Sequence, residues 1–448
     1  MMVTKEPAWH KPVLIAPLIT FRIVFGLLMF VSLLRFVWRG WVSTVYIQPS
    51  FHFTYMGFGW VRPLGAFGMY VLFGIIILST LFITIGLFYR IAAIVFFLGF
   101  TYVELIDVTT YLNHYYFISL VAFIMIWLPA NRDYSVDVWL QPCNKRNLVP
   151  AWTIRVLQFQ LAVVYIFAGL AKLNPDWLMH AQPMKTWLPA CSYLPVVGQY
   201  MYQEWVAYLF SWFGAVYDCL IVFFLLNKRT RPFAYVVVLI FHIATAIFFP
   251  GIGLFPYVMI VASLIFFSGQ FHTRLLSFLP FYRHQHLSLQ QSVFEFRYNK
   301  VVTAALAIYI FFQVAIPLRF LFYPGHLFWG EEGYRFSWRV MLMEKAGTAY
   351  FTVKDSSHTR YVSIDNAAYL TPLQEKMMST QPDMILKYAH YLYKQFEQKG
   401  WQKPEVYAEV YVALNGSRSC LFIDSTVNLA GQPISWRHYN WILPYKQQ

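Results

Sequence analysis

The sequence predicts a polytopic α-helical membrane protein with a small C-terminal α+β domain outside the bilayer. Three observations lead there. The 448 residues are 59% hydrophobic and only 12% charged, about half the charge of an ordinary soluble domain. Apolar runs recur that reach or approach the roughly 20 residues needed to cross a bilayer as helix. From residue 324 the runs stop and the composition turns mixed and polar.

The runs fall near 13–37, 66–88, 91–109, 113–129, 151–172, 203–226, 232–249, 251–267 and 299–320. The first is too long, and lacks the small-residue cleavage site, to read as a removable signal peptide. Within 232–267, "FPGIG" breaks the helix at Pro250, Gly251 and Gly253, giving two short spans or a re-entrant pair. The count is therefore nine spans, or eight.

With the N-terminus cytoplasmic, nine spans put Arg132, Lys145, Arg146, Arg155, Lys228, Arg229, Arg231, Arg274, Arg283, Arg297 and Lys300 on the inner side. The outer loops hold only Arg39, Arg62 and Lys185. That asymmetry follows the positive-inside rule, so the formal charge of +14 reads as topology and not as a nucleic-acid footprint. It divides the chain into a membrane domain, 1–323, and a periplasmic or lumenal domain, 324–448.

In that outer domain "AYFTVKD" (349–355) and "RYVSID" (360–365) alternate like half-buried strands. Residues 382–400 start on Pro382, end on Gly400 and carry an apolar face, as an amphipathic helix does. Residues 405–424 read as two strands joined at Asn415-Gly416. The four cysteines show no CxxC spacing, which signals neither zinc nor a disulfide framework. Cys191 and Cys420 both fall outside, and a bridge between them stays open.

Among the ionisable residues inside or at the ends of spans, where charge is costly, five stand out: Arg22, His114, Lys172, Asp218 and His242. Gln158, Tyr165, Gly169 and Lys172 are spaced 7, 4 and 3 apart and share one polar helix face, where Gly169 lets another backbone or a flat ligand approach. Pro175 ends that helix and leaves Lys172 in its last turn. There the ammonium either snorkels to headgroups or faces a dry pocket as a usable base. His114, in "YLNHYYF", is either an interface residue among tyrosines or a hydrogen-bonding partner for a ligand oxygen. Arg22 and Asp218 both count toward the inner half and read as a structural charge pair. His242 lines a cavity or sits in the core. No GxSxG, HExxH, P-loop or dinucleotide motif occurs, and "RHQH" (283–286) lacks a metal-ligand set.

"YIFAGLAKLNPDW" (165–177) resembles the lysine segment of the vitamin K-dependent γ-glutamyl carboxylases and their bacterial HTTM-domain relatives, on Gly169, Lys172, Leu173, Asp176 and Trp177. "LNHYYF" carries the family's Asn-His pair at Asn113 and His114. "RTRPFAYVVVLIFH" with "GIGLFPYVMI" resembles a further shared region, and "GYRFSWRVML" (333–342) the segment after the last span.

The resemblance implies that Lys172 deprotonates a reduced vitamin K or menaquinone, which reacts with oxygen and yields the base that removes a glutamyl γ-proton. Carbon dioxide then adds, leaving γ-carboxyglutamate and quinone epoxide; no metal is called for. It implies that His114 is catalytic beside Lys172, and that Asn113, Tyr165, Gly169, His242, Trp338 and Met341 surround the quinone. The implied partners are membrane lipid and a glutamyl-containing extracytoplasmic protein or peptide, with no nucleic acid.

Three departures matter. Ala171 replaces a second basic residue, the C-terminal region is short, and "LMEKAGTAY" (342–350) replaces a basic, histidine-rich run. Two other readings therefore stand beside carboxylation: quinone epoxidation without a glutamyl acceptor, and a non-catalytic transporter or scaffold.

Overall fold

The computed structural model describes residues 8–279, 292–296, 299–357 and 359–445; Arg283, Arg297 and the "RHQH" histidines lie outside them. Seven helices among these are long and apolar enough to cross a membrane. They are α1 (Ala16–Trp38), α2 (Gly65–Ile85), α3 (Tyr89–Ile106), α5 (Trp152–Lys172), α6 (Glu204–Leu226), α7 (Arg231–Phe248) and α10, counted as Asn299–Leu318 or, with its last tight turn, as Lys300–Phe322.

Two expected spans fall short of full length. Helix α4 (Asn113–Trp127) has 15 residues, about 22 Å against a hydrocarbon core of about 30 Å. Helix α8 (Phe255–Ser263) runs through a last tight turn to Phe266 and then bends by 116° into α9 (Gly269–Leu276). The nine-span expectation thus becomes seven by length, or eight with that bent pair counted. The break before α8 has the predicted cause: Pro250 starts a tight turn and Gly253 sits at φ 69°.

At one end of the bundle a short strand β1 (Pro12–Leu14) pairs antiparallel with β2 (Leu148–Pro150). The C-terminal unit covers the other end. Its antiparallel sheet runs in the order β4 (Tyr361–Ser363), β3 (Lys345–Lys354), β5 (Glu405–Leu414), β6 (Cys420–Leu421). Alternation puts Phe351, Val353, Val406, Val410 and Val412 inside, under α11 (Pro372–Met378) and α12 (Pro382–Gln398). Thr371 and Gln374 close a capping box on α11. The predicted turn stands at Asn415 (φ 50°) and Gly416 (φ 78°). All four cysteines are free, Cys191 and Cys420 included.

The unit does not merely rest on the bundle. Trp177, Met184, Leu188 and Val206, from the loop after α5 and the start of α6, belong to the same apolar cluster as the sheet. Residues 333–342 form a strap between the two layers.

Candidate functional site

The sequence face on α5 becomes four different contacts. Gln158 donates to the carbonyl of Ile265 (3.0 Å). The Tyr165 hydroxyl lies 3.1 Å from His242 Nε2 and 3.2 Å from Ser263 Oγ. Gly169 is where α6 touches: a Cβ there would stand 2.6 Å from the backbone nitrogen of Cys219. The missing side chain therefore admits a helix, not a flat ligand.

Lys172 is 6% exposed. Its Nζ donates to Asp218 Oδ2 at 2.6 Å, lies 3.4 Å from the Ala168 carbonyl and stands 5.4 Å from the Trp177 ring. The expected pair of Arg22 with Asp218 is thus replaced. Arg22 instead donates to the carbonyls of Ala130 (3.1 Å) and Tyr134.

The reason is vertical offset. The first turns of α6 rise beside the loop that follows α5, with Trp177 Nε1 donating to Ser211 O (2.7 Å) and Tyr208 to Met179 O (2.7 Å). Counting depth from the start of α6 therefore sets Asp218 too far in. Lys172, whose side chain points back toward the helix N-terminus, reaches it.

Lys172, Asp218 and Tyr165 line a cavity of about 330 Å³ walled by aromatic and aliphatic side chains, among them Phe210, Phe213, Phe241 and Phe255. Gly214 of α6 also faces it, with room for a Cβ 3.9 Å from Lys172 Cε. Sequence reading missed Gly214, since a lone glycine in an apolar helix carries no signal of what it faces.

Of the other expected site residues, His114, Asn113, His242 and Trp338 lie around the cavity without lining it. Phe255, a cavity wall, packs its ring 6.2 Å from that of His114 and 5.8 Å from that of His242, between centroids. The His114 imidazole is buried and has no hydrogen-bond partner among the described residues. Asn113 is a clamp: it donates to the Arg339 carbonyl (2.9 Å) and accepts from the Tyr111 hydroxyl (3.0 Å). Trp338 is fully buried with its ring 5.0 Å from that of Tyr116. Met341 does line the cavity, with Val340.

The strap is shaped by strain. Phe336 (φ 60°), Trp338 (φ 59°) and Met341 (φ 52°) all hold left-handed backbone, at about 1–2 kcal/mol each for a residue with a side chain. Its fixings compensate. Tyr111 accepts from the Phe336 amide (2.7 Å), Asn113 grips Arg339, and Arg335 pairs with Asp383 at 2.8 Å. Beside it, Trp187 donates to Glu344 (2.6 Å), and Asn415 donates to Asp176 of the lysine segment (2.7 Å).

Two family models match the chain: the HTTM domain over residues 10–271 and the vitamin K-dependent gamma-carboxylase lumenal domain over 298–448. No solved structure matches it. The first match covers more than half of the chain and contains Lys172, Asp218 and most of the cavity wall, while the second contains the strap and the sheet. The chain belongs to the HTTM family and carries a vitamin K-dependent gamma-carboxylase lumenal domain, which makes it a multi-pass membrane protein of the carboxylase type with its C-terminal unit on the lumenal side.

Proposed function

We propose that the protein holds reduced vitamin K or menaquinone in the cavity at Lys172 and uses it, with oxygen and carbon dioxide, to carboxylate glutamyl side chains of an extracytoplasmic protein or peptide. The observation that carries this reading is an ammonium–carboxylate pair buried in the wall of an otherwise apolar cavity.

The residues present fit such a ligand. A volume of about 330 Å³ falls in the usual range of about 300–1,000 Å³ for small-molecule sites. Polar groups stand at two depths, Lys172 with Asp218 and Tyr165 with His242 and Ser263. Tyr165 and Lys172 are two helical turns apart, about 10.5 Å along α5. A bicyclic 1,4-diol with one hydrogen bond at each end spans about 11 Å.

When bound, the hydroquinone and oxygen supply the strong base that takes the glutamyl γ-proton and leave the epoxide. The chain's own part is proton handling and exclusion of water. Lys172 and Asp218 together carry no net charge, so the cavity can contain them. Nζ can pass a proton to Asp218 and take one from a ligand hydroxyl, which leaves a cationic Nζ beside that oxygen. Tyr165, held by His242 and Ser263, meets the second oxygen. The phenylalanine walls keep water from quenching a strong base. His114 acts on the ligand through Phe255, against which it packs. The N-terminal strand, at the end opposite the lumenal unit, is assigned to the cytoplasm.

The test is Lys172→Arg, assayed for quinone oxidation in purified protein. A guanidinium keeps the charge but does not exchange its proton. Loss of turnover supports proton transfer at this residue. Retained turnover leaves Lys172 an electrostatic part alone and overturns its role as the base.

A further inference from the structure

The strap turns its side chains two ways. Val340 and Met341 face the cavity, while Arg339 is turned toward the end of the last span, its guanidinium 4.4 Å from the centre of the Phe320 ring. Arg339 is only 8% exposed. Among the described residues its side chain makes no hydrogen bond or ion pair, and its Nε is wholly buried without a partner.

Its neighbours do not supply the missing anion. Asp383 is engaged by Arg335 (2.8 Å) and Glu331 by Lys345 (2.9 Å). Among the described residues Arg319, the next cation, makes no ion pair: it donates to the carbonyls of Ile316 (3.0 Å) and Arg335 and stands 5.9 Å from the centre of the Phe336 ring. Both guanidinium groups are thus gathered at the Arg319–Phe322 turn, and among the described residues neither has a carboxylate partner. Asn113 fixes the Arg339 carbonyl at 2.9 Å, so the backbone is not free to carry the charge out to water. A buried cation left like this is costly unless something pairs with it.

The surroundings select the anion. Beside Phe320, Leu321 is 67% and Phe322 87% exposed, on a span whose apolar window is only 11% buried within the protein. An anion reaching Arg339 from that side arrives among acyl chains. We propose that Arg339, with Arg319, binds the phosphate of a phospholipid headgroup at the outer rim of the membrane domain. Planar guanidinium donors match phosphate oxygens in pairs. The bound lipid cancels the repulsion between the two arginines and secures the strap that closes the Lys172 cavity.

The experiment counts lipid by native mass spectrometry on protein released from phosphatidylglycerol nanodiscs in phosphate-free buffer. Wild type and Arg339→Lys should retain a lipid, with about tenfold lower occupancy in Arg339→Gln, the effect expected for a lost charge-assisted contact. Equal retention by Arg339→Gln overturns the proposal.

A second measurement needs no variant. Delipidated wild type is melted in maltoside micelles with short-chain phosphatidylglycerol, the matching diacylglycerol, inorganic phosphate or a glutamyl peptide. A midpoint raised by phosphatidylglycerol alone supports the site. An equal rise with diacylglycerol reduces it to acyl packing, and an equal rise with inorganic phosphate makes the source a free anion. A rise with the peptide that removes the lipid effect makes it a carboxylate site. Each of these three results overturns the lipid assignment.

Discussion

Removing Asp218 should cost more than removing the pair of which it is half. Its Oδ2 lies 2.6 Å from Lys172 Nζ, and the two side chains are only 9% and 7% exposed. Asp218→Ala leaves an ammonium in an apolar wall with the weak Ala168 carbonyl contact at 3.4 Å as its remaining bond. Breaking a buried pair from one side costs about 3–5 kcal/mol, whereas replacing both partners by apolar groups is often close to neutral. Asp218→Ala should therefore lower the thermal unfolding midpoint in micelles strongly, and Lys172→Met with Asp218→Leu should recover most of it. The same double variant should have no quinone turnover. This separates stability from chemistry, since the recovered protein is folded and lacks only the charges. The reasoning is refuted if Asp218→Ala unfolds like wild type, or if the double variant still turns over quinone.

Gly169→Ala forces its Cβ to within 2.6 Å of the Cys219 backbone and should destabilise by about 1–3 kcal/mol, as overpacking does; Gly214→Ala, meeting nothing nearer than 3.6 Å, should melt normally but bind quinone more weakly. Asn113→Ala removes contacts to Tyr111 and the Arg339 carbonyl and should raise amide exchange in residues 333–342 by the loss of about 1–3 kcal/mol. Burial pushes the Asp383 carboxyl up, but Arg335 at 2.8 Å and Lys387 at 3.7 Å hold it lower, at about 2. Because the folded value is depressed, its stabilisation is present above the ordinary carboxylate value of about 3.9 and is lost as pH falls toward 2. With the side chain 27% exposed, about 1–2 kcal/mol is at stake after screening. Wild type should show that loss in acid melts, and Asp383→Asn should lack it.

The membrane class was legible because apolar runs and charge asymmetry are properties of composition, and the lumenal strands because alternation survives in β3 and β5. At α4 and α8 the runs 113–129 and 251–267 ended close to the observed helix ends; what the sequence did not show is that α4 is too short to cross alone and that the chain bends by 116° after α8. The lysine was legible from its spacing to Gly169 and from the following Pro175. Its partner was not, because Asp218 meets it only through the offset of α6, which tertiary packing against Trp177 and Met179 sets. Gly169 could be recognised as a close-approach position, but not what approaches. Trp338 and Asn113 were found as a motif; their positions in and against a strained strap depend on contacts more than two hundred residues apart in sequence.

The most direct measurement follows two products at once in nanodiscs supplied with reduced menaquinone or vitamin K, oxygen, labelled bicarbonate and a glutamate-rich peptide. Wild type should form quinone epoxide together with peptide-bound label, and Lys172→Ala should lose both. Epoxide without label would contradict carboxylation and leave an oxygenase. Neither product from wild type, across several quinones, would contradict the account at its centre and leave Lys172 a structural part as the buried partner of Asp218.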